Sequence, residues 1–167
     1  MAQVLVGQRL PPLSLRATRG ADVDLSNLKG LSIIYAYPRI SPPDGTAIAG
    51  WSNIPGAKGC TPQSCGFRDH FAELTDAGVA QVFGLSTQST SDQCEAVNRL
   101  HLPFVLLSDD TLQLQKALDL PVFKVEGMTL LHRLTMIVRD GQIEHVFDNI
   151  SDPAGNAAAV LEFIATR

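Results

Sequence analysis

The sequence lacks a basic surplus, a long apolar run and a framework of cysteines, and each absence closes off a class of function. Its 167 residues carry 13 Lys+Arg against 17 Asp+Glu, a formal net charge of −4. Nucleic-acid binding rests on cations that neutralise phosphates, so it is not expected as the main task. No stretch approaches the ~18–20 consecutive apolar residues of a membrane-spanning helix, so no membrane association is expected. The opening residues 1–9 hold no cationic segment followed by an apolar one; a signal peptide is not expected, and a cytoplasmic location is. Three cysteines, an odd and small number, argue against a secreted disulfide scaffold. Charged residues make up only 18%, but 45% are hydrophobic, which excludes a disordered chain. The length suits one domain over residues 1–167, large enough to bury a core.

What is present reads as alternating strands and helices. Residues 31–37 (L-S-I-I-Y-A-Y) form a β-branched and aromatic run ended by Pro38, the pattern of a buried strand. Over 60–77, Phe67, Phe71 and Leu74 fall at i, i+4, i+7, which predicts one amphipathic helix stopped by Gly78. A strand over 79–85 follows, then a helix over 89–100 with Ser91 or Asp92 as N-cap. A short strand over 103–107 and a helix over 111–118 come next. Strands over 129–139 and 142–147 flank Asp140-Gly141, a strong hairpin signal. The Ala-rich segment 154–165, after Asp152-Pro153, closes the chain as a helix. The expected architecture is an α/β sandwich with a mixed sheet.

One stretch departs from this economy. Residues 39–59 contain three prolines and four glycines and no sustained period, and a loop of that length in a compact domain is usually functional or mobile. Trp51 and Ile54 within it suit either a lid or an apolar anchor. The loop delivers the chain to G-C-T-P-Q-S-C-G-F-R-D, which places Cys60 and Cys65 at a helix start. A helix N-terminus stabilises a thiolate, the reactive form of cysteine, and Lys58 and Arg68 lie nearby in sequence. Two cysteines five apart on an intact helix have Cα atoms roughly 8–9 Å apart. A disulfide needs about 4.4–6.8 Å. If these two bond, the first turns must unwind, and oxidation becomes a conformational switch. Buried structural cysteines remain the competing reading. Zinc is disfavoured, because His70, His101, His132 and His145 are scattered without ligand spacing. The C-x-x-C of a general disulfide reductase is absent, and nothing suggests the histidine partner of a cysteine protease.

Taken together, several segments resemble the peroxiredoxins, specifically the bacterioferritin comigratory protein or peroxiredoxin Q subfamily. They are Tyr37-Pro38, C-T-P-Q-S-C-G-F-R-D, V-F-G-L-S-T, F-V-L-L-S-D-D, H-R-L-T-M-I-V and D-G-Q-I-E-H-V-F-D, in the family's order over nearly the whole chain. The resemblance implies a thioredoxin-like fold, a central mixed β-sheet flanked by helices, with 39–59 as an inserted loop. It implies a thiol peroxidase acting on hydrogen peroxide or alkyl hydroperoxides through cysteine alone, without metal, haem, flavin or other cofactor. Cys60 matches the peroxidatic cysteine, Cys65 the resolving cysteine that forms an intrachain disulfide with it, and Arg133 the active-site arginine. Together with the helix N-terminus, Arg133 is expected to depress the Cys60 pKa. The implied partners are a hydroperoxide and a thioredoxin-like dithiol reductant, and the expected state is a monomer or weak homodimer. Cys94 is a second candidate for the resolving role. The family pattern Pro-x-x-x-Thr-x-x-Cys is broken: Ala57 stands where the Thr would be and Asn53 where the Pro would be. Thr46 or Thr61 is expected to replace the missing hydroxyl, or the site works without one. A non-catalytic redox sensor that switches partner binding on Cys60 oxidation is the alternative function.

Overall fold

Residues 2–44, 48–54 and 56–166 are described by a computed structural model. The first half runs α1 (Ala2–Leu5), β1 (Ser14–Ala17), β2 (Val23–Asp24), β3 (Leu31–Ala36), α2 (Cys60–Asp69), α3 (Phe71–Asp76) and β4 (Val79–Ser86). The second half runs α4 (Thr90–Leu100), β5 (Val105–Ser108), α5 (Gln113–Leu118), β6 (Val122–Val125), β7 (Met128–Leu131), β8 (Leu134–Arg139), β9 (Gln142–Phe147) and α6 (Asn156–Ala165). Seven strands form one mixed sheet in the order β2-β1-β5-β4-β3-β8-β9, and β6 and β7 form a separate ribbon.

The sheet is organised around β3, whose six residues are all buried. It lies between β4, which it pairs in parallel, and β8, which it pairs antiparallel, so both its edges and both its faces are covered. Side chains on a strand alternate between faces. Ile34 and Ala36 therefore join Leu85, Leu107, Met136 and Leu114 of α5 on one side. Ile33 and Tyr35 join Cys60, Phe67, Leu106, Ala96 of α4 and Val160 of α6 on the other. Helix α2 thus lies against the Tyr35 face, and its ring of Phe67 stacks on Tyr35 with centroids 4.6 Å apart. A mixed sheet flanked by helices is the expected arrangement, and the Asp140-Gly141 turn forms as read, with φ of 50° and 81°.

Four expectations change. The helix over 60–77 bends at His70, where φ −99° and ψ 7° divide α2 from α3; the bend keeps Phe67 and Leu74 fully buried against the sheet. Neither Ser91 nor Asp92 caps α4: the Ser89 hydroxyl accepts from the Asp92 N–H at 3.1 Å, which leaves the Asp92 carboxylate at the favourable end of the dipole. The strand over 129–139 is broken at His132 and Arg133. There the chain leaves the β6–β7 ribbon for the main sheet, with the His132 N–H donating to the Pro121 carbonyl at 2.9 Å. A continuous strand would have forced a guanidinium onto one apolar face of the sheet, and the break turns it away. Finally, β1, β2 and β6 were not anticipated; S-L-R-A buries only Leu15, too little to show a period.

Candidate active site

Cys60 begins α2, and its position is imposed by the residue before it. Gly59 has φ 107°, a left-handed conformation open to glycine at little cost. A Cβ there would also come within 2.6 Å of the Pro153 Cγ. Gly59→Ala is therefore expected to lower stability by about 2 kcal/mol from backbone strain alone, read as a reduced urea midpoint with unchanged slope. Beyond Gly59, the backbone N–H groups of Cys60 itself and of Arg39 are directed to the sulfur, and Pro62 occupies a first-turn position of α2 where its missing N–H is no loss.

The break before β8 delivers Arg133 to this sulfur. Its Nη2 donates to Cys60 Sγ at 3.3 Å, and to the carbonyls of Gly56, Ala57 and Lys58 at 3.2, 3.2 and 2.9 Å. Its Nη1 donates to Gln63 Oε1 at 2.5 Å. Arg133 is only 7% exposed, so these contacts are little diluted by water. Sequence separates Cys60 from Arg133 by 73 residues, and the fold brings them together. Lys58 contributes its backbone carbonyl to Arg133 and is itself exposed, at the edge of the groove beside Gly59. Arg68 turns instead to Asp69 and to the Leu100 carbonyl.

Where the resemblance leads one to expect a threonine hydroxyl, Ala57 presents its carbonyl. The Cys60 thiol donates to that oxygen at 3.6 Å. Burial pushes the Cys60 thiol above its ordinary value, and this outweighs Arg133, the Arg39 backbone N–H and the cysteine's own N–H, which all act downward. The expectation of a depressed pKa is corrected for this closed arrangement: a sulfur 3% exposed loses more by desolvation than one cation returns. Of the proposed hydroxyls, Thr46 lies outside the described residues, and Thr61 follows Cys60 on α2.

Loop 39–59 is tied down at both ends. Gln88 exchanges two hydrogen bonds with the backbone of Ile40, at 3.0 and 3.2 Å. Trp51 is buried with Ile48, Ala57 and Leu130, and Phe123 of β6 packs against them. Trp51 is therefore an anchor, and because Ala57 belongs to the same cluster the anchor also sets the roof over the sulfur. Two grooves, of about 530 and 440 Å³, meet at Gly56, Ile150 and Ser151. One reaches Arg133 and His132, the other Gly59 and Pro62. A cavity of about 480 Å³ lies at the Asp140-Gly141 turn, the opposite end of β8 from Arg133.

Cys65 is half-buried on α2, and all three cysteines are free thiols. Because α2 is continuous from Cys60 to Asp69, the spacing constraint on a Cys60–Cys65 bond applies in full. Cys94 sits on α4, its thiol donating to the Thr18 carbonyl at 3.4 Å beyond β1. Among the described residues no three His, Cys, Asp or Glu side chains gather as a metal site, and no helix is long and apolar enough to cross a membrane. Sequence reasoning missed three buried residues: Gln63, which accepts from Arg133, and behind it Asn156 and Thr135. Only Gln63 carried a signal: it lies three residues after Cys60, one helical turn on.

The profile of the Redoxin family matches residues 5–161. Peroxiredoxin Bcp of Escherichia coli (strain K12) is 31% identical over 154 residues, which cover 89% of this chain and 88% of that protein. The chloroplastic peroxiredoxin Q of Sedum lineare is 30% identical over 165 residues, 98% of this chain and 79% of that one. A solved structure of Xanthomonas campestris peroxiredoxin Q superposes with a TM-score of 0.77 at 23% identity, covering 98% of each chain. The fold is the thioredoxin-like one of these structures.

Proposed function

This chain belongs to the Redoxin family as a peroxiredoxin of the Q/Bcp kind, a thiol peroxidase, and from that premise we propose that Cys60 is its peroxidatic residue and Cys65 its resolving one. The observation that carries the reading is the Arg133 Nη2 donating to Cys60 Sγ at 3.3 Å at the start of α2. The substrate is hydrogen peroxide or a small alkyl hydroperoxide. The Cys60 thiolate attacks its terminal oxygen; the S–O bond forms, the O–O bond breaks, and the departing hydroxide or alkoxide takes up a proton as water or alcohol. Arg133 stabilises negative charge as it moves from sulfur to oxygen. The Cys65 thiolate then attacks the sulfenic sulfur; the S–S bond forms, the S–O bond breaks, and the departing hydroxide takes up a proton as water. A thioredoxin-like dithiol reduces the disulfide, becoming oxidised itself. Formation of the bond requires α2 to unwind near its start, since an intact helix holds the two Cα atoms too far apart. The cycle suits a reducing cytoplasm and a monomer or weak homodimer in which residues 1–167 form one domain.

A hydroperoxide assay coupled to thioredoxin and its reductase tests this reading. The expected result is steady turnover, with peptide mapping after peroxide finding Cys60 joined to Cys65. A Cys60–Cys94 link overturns the assignment of Cys65. Oxidation without turnover points to the redox sensor, a reading favoured by one feature: the protonated thiol roofed by the Ala57 carbonyl.

A further inference from the structure

Resting on the reading of Cys60 and Arg133 given above, we propose that Asn156, in the first turn of α6, is a positioning residue that holds the Arg133 guanidinium on Cys60 by way of Gln63. The contacts form one directed chain. Arg133 Nη1 donates to Gln63 Oε1, and Gln63 Nε2 donates to Asn156 Oδ1 at 3.1 Å. The Thr135 hydroxyl of β8 donates to the same Asn156 oxygen at 2.7 Å. A glutamine has one carbonyl and one amide group, so once its carbonyl faces Arg133 its amide needs an acceptor on the far side. Asn156 supplies that acceptor, and Thr135 fixes the acceptor's own orientation. Gln63 and Thr135 are fully buried and Asn156 is 3% exposed, so water does not replace a missing member. Gln63 is neutral and therefore aims the guanidinium without cancelling its charge.

The chain also ties Arg133 to the winding of α2. Asn156 follows the turn Pro153–Gly155, which lies so close to α2 that a Cβ on Gly66 would come within 2.9 Å of the Ala154 carbonyl. The contact from Gln63 to Asn156 spans 93 residues and exists only while α2 is wound through position 63. Unwinding toward a Cys60–Cys65 disulfide withdraws Gln63 from both partners at once. Asn156 thus favours the reduced, wound helix in which Arg133 faces the sulfur.

The test titrates the ultraviolet thiolate absorbance of Cys60 in a Cys65→Ser, Cys94→Ser background, with Asn156 intact or replaced by Ala. Asn156→Ala is expected to move the midpoint upward and to slow single-turnover oxidation by peroxide about tenfold, the rate equivalent of about 1.4 kcal/mol. In an Arg133→Met background the same change should have no further effect on the midpoint. A lower melting temperature with an unmoved midpoint, or an equal shift without Arg133, overturns the proposal. Should Asn156→Ala fail to fold, Thr135→Val removes one hydroxyl at constant shape; a smaller upward shift supports the proposal and an unchanged midpoint overturns it. The titration involves no peroxide. A chain that titrates as expected but consumes none refutes the peroxidase reading and leaves the positioning role standing.

Discussion

Cys60→Ser is expected to lose all measurable peroxide reduction, a fall of at least about 10³-fold, while the fold persists. A serine hydroxyl is a far weaker acid and a poorer nucleophile toward peroxide oxygen, and it has no sulfenic-acid state. The replaced atom lies in a core that includes Tyr35, Phe67 and Val160, which the smaller hydroxyl leaves otherwise intact. Cys65→Ser separates the two roles, since it should retain one oxidation per chain and lose only turnover. Residual turnover in Cys60→Ser comparable to the unaltered protein would remove Cys60 from the chemistry. The serine variant also exposes a linkage effect. Burial makes the folded thiol hold its proton more tightly than the unfolded chain does. That stability is fully present below the unfolded thiol's value and is lost as pH rises through the folded one. Urea midpoints should accordingly decline at alkaline pH more steeply in the unaltered protein than in the serine variant.

The second large effect is expected at Arg133. Replacement by Met should slow oxidation of Cys60 by on the order of 10²–10³-fold, as for removal of one preorganised donor at developing charge. The rate of the unaltered protein should rise with pH from neutral upward, because its thiol titrates above the ordinary range and the thiolate is the reactive form. Loss of Arg133 removes a downward influence on that thiol, so the profile should move further to alkaline pH. Arg133→Lys should recover little. The guanidinium serves Gln63 on one nitrogen and the sulfur with three carbonyls on the other, a fork that a single ammonium does not reproduce. Stopped-flow rates across pH for the three proteins decide the matter; an Arg133→Met profile coincident with that of the unaltered chain would mean the arginine serves only to hold the loop.

How far the site was legible depended on distance along the chain. Cys60 and Cys65 stood out because the reactive position, the start of a helix, is a local property visible in eleven consecutive letters. Arg133 was legible as a charge interrupting an apolar pattern, although the pattern suggested one strand where there are two. The break between β7 and β8 is dictated by pairing, the ribbon on one side and β3 on the other, and pairing is not written locally. Asn156 and Thr135 gave no sign at all. A buried amide and a buried hydroxyl look like any polar residues until the elements that bury them are assembled.

The sequence by itself determined the α/β class, the central strand 31–37, the hairpin at Asp140-Gly141, and the placing of a reactive cysteine after an irregular loop. These follow from periodicity, turn chemistry and helix ends, which act over a few residues. Tertiary structure alone decided the state of that cysteine. It set a backbone carbonyl over the thiol where a hydroxyl was expected, and buried the sulfur deeply enough to push its pKa up. It also chose which of the candidate cations faces it. The reason is physical: desolvation and charge pairing depend on what surrounds a group in space, and here the surroundings come from segments some 70 to 100 residues apart.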